Sequence, residues 1–300
     1  MCIRDRFLDG ALIRIGNGYG CLHPWPELGD PSLKKCLQDL RGARRYALVR
    51  RAVRCAELDG IARDLDDWMF EEMEVPLSHA TLGGSERSLV EEAVGQGFGT
   101  VKMKCGRELG REAVFLREAA AAYPEIRWRL DFNETGSEES VRAFLLGLPE
   151  GVRERIDFVE DPFPYEGPSW EKLRRETGVC LAVDREAGPD CPAADVVVVK
   201  PAIDEPWLLA EAAQLNGQRV VVTSYMDHPL GQAFSAWEAG RLSLQFPGLV
   251  ETCGLQTHGL FREDSFTQAL GEVGPQFECA EGTGLGFDDH LQNLPWRELS

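Results

Sequence analysis

From residue 75 onward, short apolar runs alternate with amphipathic stretches of helical spacing, and this alternation limits the possible folds more than any other feature of the chain. The runs read as strands at 75–81, 99–104, 127–133, 156–160, 180–184, 195–200, 219–224 and 249–253. Helical spacing falls between them at 85–96, 107–122, 137–147, 168–176, 205–216 and 229–240. Such alternation predicts parallel β/α units. Val196-Val197-Val198-Val199 and Val220-Val221-Val222 are apolar at every position, as strands covered on both faces are. Eight strands in one stretch suit a closed (β/α)8-type barrel better than an open sheet.

The first quarter has a different grain. Residues 7–20 read as a hairpin, 21–31 as a loop rich in Pro and Trp, and 32–73 as a helical block with apolar positions at Leu33, Cys36, Leu37 and Leu40. Residues 1–6 lack the apolar core of a signal peptide and fit poorly with the hairpin beyond them, so the natural start is expected to lie upstream or to be mis-called. At 300 residues the chain makes one large domain or two. Its net charge of −18 repels phosphate backbones and anionic membranes, so nucleic acid is not an expected partner. No apolar run approaches the roughly 18 residues that cross a bilayer. Nine cysteines are scattered without any C-x-x-C and read as reduced, small core residues of a cytoplasmic protein.

In a parallel barrel the site lies at the carboxyl ends of the strands. Charged residues close the runs there. Lys102 and Lys104 are two apart and so share one face of a strand. Side by side, two ammonium groups disfavour the charged form of one or both, which suits a general base. Asp131, Glu160 and Asp184 each end a run, and Lys200 ends the valine run before Pro201. Three converging carboxylates repel unless a cation lies among them, and a hard ion such as Mg²⁺ prefers oxygen ligands. Taken singly, each has a plainer reading: a strand-end carboxylate caps the next helix, and a lysine pair is a solvated face. Six such residues on five consecutive strands, in one order, argue for a site.

Val101-Lys102-Met103-Lys104, Arg129-Leu130-Asp131-Phe132-Asn133, Phe158-Val159-Glu160-Asp161-Pro162, Ala182-Val183-Asp184, Val199-Lys200-Pro201 and the closing Gly282-Thr283-Gly284-Leu285-Gly286 together resemble the enolase superfamily. Within it they are similar to the muconate-lactonizing branch. The resemblance covers about 75–290 closely and 7–74 more loosely. It implies a modified (β/α)7β barrel over 75–255 and a smaller α+β capping domain over 1–74, with 256–300 contributing to it. It also implies Asp131, Glu160 and Asp184 as ligands of Mg²⁺ (or Mn²⁺), Lys104 as the base, Lys102 as the residue that keeps it deprotonated, and Lys200 as electrostatic support for an enediolate. Arg129 and Asn133 are expected to shape the metal face.

The implied activity is dehydration of 2-succinyl-6-hydroxy-2,4-cyclohexadiene-1-carboxylate to o-succinylbenzoate, a step of menaquinone biosynthesis. The substrate is thus a small carboxylate, and the protein a monomer or small homo-oligomer. Two departures stand out: the Asp184-to-Lys200 interval is short, which predicts a trimmed helix after the fifth barrel strand, and the capping domain lacks its first strand.

Ser224, in the segment Thr223 to His228, could hydrogen-bond a substrate carboxylate, or serve only as a turn hydroxyl. His228 reads as a turn residue. The loop around Trp25 reads equally as a lid or as packing. The glycines near 284 resemble a nucleotide loop only superficially, with no P-loop lysine following. Three rival readings remain: a racemase or epimerase of N-acylamino acids or dipeptides on the same site, a Schiff-base aldolase using Lys200, and a non-catalytic barrel.

Overall fold

The computed structural model describes residues 2, 3, 6–185 and 187–299. Residues 1, 4 and 5, part of the segment for which an upstream start is expected, lie outside that set. The first elements are β1 (Cys2–Ile3), β2 (Arg6–Phe7), β3 (Ala11–Ile15) and β4 (Gly18–Leu22), followed by helices α1 (Leu33–Leu40) and α2 (Ala47–Asp64). The predicted hairpin is therefore β3–β4, turning at Gly16-Asn17 with Gly16 in the left-handed region (φ 59°) that glycine adopts without penalty. The helical block breaks at 41–46. There Asp39 draws the N–H groups of Arg45 and Tyr46 onto its carboxylate, both at 2.9 Å.

Gly18 and Gly20 let β4 lie directly on α2. A Cβ on Gly18 would stand 1.9 Å from the Ala56 carbonyl oxygen, and one on Gly20 2.2 Å from that of Ala52. This close approach seats the hairpin on the helix.

The barrel strands are β5 (Ala80–Thr81), β6 (Thr100–Lys104), β7 (Arg127–Asp131), β8 (Ile156–Glu160), β9 (Leu181–Val183), β10 (Val196–Val199) and β11 (Arg219–Val222). Between and after them come α3 (Arg87–Gly95), α4 (Leu109–Ala122), α5 (Glu138–Gly147), α6 (Glu150–Arg153), α7 (Gly167–Thr177), α8 (Pro206–Asn216) and α9 (Pro229–Gln245). All seven strands form one parallel sheet in the order β11-β10-β9-β8-β7-β6-β5. Residues 250–254 close it: Val250 and Gly254 bridge to Val220 and Thr223 on one side, and Cys253 bridges to Ser78 on the other, all parallel. The described residues between β9 and β10 form turns and no helix, which matches the short interval there.

The valine runs divide by parity. Val196, Val198 and Val221 join Phe158 and Ala182 in a cluster inside the barrel. Val197, Val199, Val220 and Val222 face outward into the core beneath the helices. Both faces are thus covered, as the sequence implies.

The tail returns to α2. Asp59 accepts N–H groups from Tyr19 (2.8 Å) and Leu285 (2.7 Å), and Arg63 bonds both Asp59 and Asp288. The glycine segment is therefore a turn pinned to a helix, with Gly284 and Gly286 in the left-handed region (φ 57° and 86°). Among the described residues no helix is long and apolar enough to cross a membrane, and the cysteines from Cys21 to Cys279 form no disulfide.

The hairpin–helix contact leads to a stability prediction. Gly20→Ala should destabilise the protein by about 1–3 kcal/mol, because backbone must move to admit the new carbon. Urea denaturation of the variant checks this; an unchanged midpoint would mean that the contact is soft.

Candidate active site

Strand register brings the charged residues to one end of the barrel. Lys104 pairs with Asp131, Asp131 with Glu160, and Glu160 with Ala182, so three of the groups stand on one level across three strands. Asp184 has the inward parity of Ala182 and Lys200 that of Val198, which places both beyond their strands at the same mouth. Lys102 rises from the layer below. Its ammonium lies 2.5 Å from Glu160 Oε1 and 3.1 Å from Asp131 Oδ2. Lys200 Nζ lies 2.5 Å from Asp184 Oδ2. Lys104 differs: its side chain is 56% exposed and touches Asp131 Oδ2 only at 3.5 Å.

The electrostatics follow from crowding. Burial, with Asp131, Asp184 and Asp161 nearby, pushes Glu160 up to about 8 against the pull of Lys102. Burial opposes the charge on Lys102 and on Lys200, but the neighbouring carboxylates outweigh it and hold both ammonium groups above the ordinary lysine range. The expectation that paired lysines weaken each other's charge is thus corrected for Lys102, whose ammonium is held by the carboxylates of Asp131 and Glu160.

Several residues of the mouth carry no clear sequence signal. Asp161, left-handed at φ 42°, turns its carboxylate to the N–H groups of Asp184 (3.0 Å) and Arg185 (3.1 Å) and so fixes the backbone that presents Asp184. Asp204 accepts the Lys200 N–H at 2.6 Å. Thr223 continues the inward parity of Val221, and its hydroxyl is buried without a hydrogen-bond partner.

The structure does not bring every expected residue to the mouth. Arg129 is fully buried one layer down, bonded to Asp157 (2.8 Å), the Thr252 carbonyl (2.7 Å) and His79 (2.8 Å), with Phe158 under its guanidinium. It plugs the barrel below the carboxylates and does not shape their open face. Ser224 has outward parity, and its hydroxyl is engaged with Thr257 Oγ1 at 2.6 Å. Asn133 is at the mouth, where its backbone N–H donates to Asp131 Oδ1 at 3.1 Å. His228 caps α9 through the Leu230 N–H.

The loop over 21–31 reaches the same rim. Trp25 donates its indole N–H to the Tyr225 carbonyl (2.9 Å), and the Tyr225 hydroxyl donates to Asp30 (3.0 Å). Tyr225 in turn flanks Lys200, whose ammonium is 6.0 Å from the ring centre. Packing and cover are here one contact.

The donor set suits a divalent ion in kind. It is all oxygen, it comes from three carboxyl groups, and Asp184 Oδ1 is buried with no partner. In arrangement it is drawn onto lysines: among the described residues no group of three or more His, Cys, Asp or Glu is gathered as a metal cluster.

A closed parallel barrel with opposed amines around strand-end carboxylates is an enolase-superfamily architecture, and the comparisons agree. Residues 86–188 match the family model described as enolase C-terminal domain-like, and residues 3–62 match that of the O-succinylbenzoate synthase N-terminal domain. Muconate cycloisomerase from Pseudomonas fluorescens has the same fold at 16% identity, with a TM-score of 0.76 over 95% of this chain and 92% of its own. So does dipeptide epimerase from Enterococcus faecalis complexed with Mg and L-Leu-L-Tyr, at 16% identity and a TM-score of 0.75 over 92% and 90%. The o-succinylbenzoate synthase of Bdellovibrio bacteriovorus is 34% identical over 97% of this chain and 91% of its own length. The chain belongs to the o-succinylbenzoate synthase family.

One further buried carboxylate lies on the rim outside the ion-pair ring. Asp227 follows β11, is 2% exposed, and is pushed by burial up to about 7. A carboxyl raised in this way favours the folded state fully below its ordinary range, and that contribution is lost as pH rises through about 7. Asp227→Asn should therefore gain stability relative to the parent chain between pH 4 and pH 8, by up to about 4 kcal/mol. Paired urea titrations at the two pH values test this; a gap that stays constant would place Asp227 in contact with water.

Proposed function

We propose that the chain is a magnesium-dependent dehydratase that converts 2-succinyl-6-hydroxy-2,4-cyclohexadiene-1-carboxylate to o-succinylbenzoate and water, in menaquinone biosynthesis. The observation that carries this reading is the contrast among the three lysines: Lys102 and Lys200 are committed to carboxylates, while Lys104 stands largely free at the mouth. Asp131, Glu160 and Asp184 would hold the ion. When bound there, it stabilises negative charge developing on the substrate carboxylate.

The remaining work belongs to side chains. Lys104 takes the proton α to the carboxylate. Now protonated, it returns that proton to the departing hydroxyl on the same face, and the ring becomes aromatic. Lys102, charged and bonded to Glu160 and Asp131, holds those carboxylates beside Lys104. Lys200, four strands further round the barrel, faces the other side of the ring as a fixed cation. The cysteines from Cys21 to Cys279 form no disulfide, which suits a protein working in the reducing cytoplasm.

An epimerase shares the two opposed amines, and the Enterococcus faecalis neighbour is one. That reading requires Lys200 to exchange a proton, and α-proton exchange on an N-succinylamino acid would reveal it.

Lys104→Ala should lower the dehydration rate by about 100-fold or more. Ultraviolet absorbance of the aromatic product follows it, and a variant within a factor of about 10 of the parent would end the base assignment. Chelation should abolish turnover, and added Mg²⁺ or Mn²⁺ should restore it; turnover unaffected by chelator would end the metal assignment.

A further inference from the structure

We propose that Arg51, on α2 of the amino-terminal unit, is a positioning residue for Lys200. This deepens the dehydratase reading and rests on it for the role of Lys200. Arg51 is 6% exposed, and its guanidinium reaches across to the barrel. Nε donates to the Pro201 carbonyl at 2.8 Å, Nη2 to Glu238 at 2.6 Å and Nη1 to Glu205 at 3.3 Å, while the fork stacks over Phe234 at 5.4 Å.

Pro201 directly follows Lys200. The turn it opens is tight: the Lys200 carbonyl accepts from Ile203 (2.9 Å) and Asp204 (2.8 Å), and Asp204 accepts the Lys200 N–H. Ala202 and Ile203 pack into the apolar cluster of the amino-terminal unit, against residues such as Trp25, Leu48 and Val49. One side of the turn is thus held by apolar contact with that unit, and its first carbonyl by Arg51. A planar fork can bond Pro201, Glu238 and Glu205 at once, and an ammonium cannot reproduce that geometry.

The test compares the parent chain with Arg51→Met and Arg51→Lys, after circular dichroism and melting show that each is folded. If Arg51→Met does not fold, Arg51→Lys carries the same test. The first readout needs no substrate: limited acetylation with acetic anhydride, read at Lys200 by peptide mass spectrometry against the exposed Lys34. Lys200 should label several-fold faster in both variants than in the parent. The second is kinetic: kcat should fall by about 100-fold, as a displacement near 1 Å can cost, with KM changed far less. The third is a cycle: in a Lys200→Ala background, Arg51→Met should produce no further fall in kcat.

Unchanged Lys200 labelling would overturn the proposal, and so would rescue of kcat by Arg51→Lys or additive losses in the cycle. A parent chain that does not turn over the cyclohexadiene carboxylate would fail the dehydratase reading alone, and the labelling would then decide the role of Arg51.

Discussion

Carboxylates gathered at the mouth of a closed barrel repel one another, and everything around them is arranged to contain that repulsion. Asp131, Glu160, Asp161 and Asp184 are brought there by strand register and by the turns that follow it. Bridges from 250–254 to the strands on either side close the ring around them. The positive charge that answers them is also set by strands: Lys102 from β6 between two carboxylates, and Lys200 from the end of β10 against a third. Below them Arg129 and Arg219 share Asp157, so the floor is itself charge-paired.

Much of this was legible because a strand has period two and a run of valines has an end. Parity places Lys102, Lys104, Asp131, Glu160, Asp184 and Lys200 inward, and Pro162 and Pro201 show where two of the strands stop. Parity does not give depth. Arg129 shares the face of Asp131 yet lies one layer lower, where only the partners Asp157, Thr252 and His79 reveal its role. Ser224 attracts notice as a hydroxyl on the rim, but its neighbour Thr223 has the inward parity. Asp161 escaped for a related reason. Its function lies in bonding backbone of the next strand, and nothing in its own strand announces that.

The amino-terminal unit was legible as a hairpin and helices, and its link to the site only through the Trp25 loop, which reads equally as a lid or as packing. Its connections to the mouth span great sequence distance: Arg51 and Pro201 are 150 positions apart, and Trp25 and Tyr225 are 200 apart. Hydrophobic pattern carries no record of such pairings. Local periodicity, likewise, could not show that Gly18 and Gly20 are required by backbone lying on backbone, since that demand arises only once β4 meets α2.

A dipeptide epimerase and a muconate cycloisomerase at 15–16% identity share this fold, so the fold by itself does not choose the reaction. The state of Lys200 bears on that choice. Epimerisation needs an acid and a base on opposite faces, and so needs Lys200 to gain and lose a proton in each cycle. Dehydration to an aromatic ring asks less: one base works twice on one face, and the opposite group need only remain positive. Lys200 is half-buried, its charge is favoured by Asp184 and Glu160, its backbone is tied to Asp204, and Tyr225 stands beside it. A lysine held charged from so many sides is better suited to steady electrostatic support than to proton exchange, and Lys104, exposed and loosely paired, is suited to the opposite task.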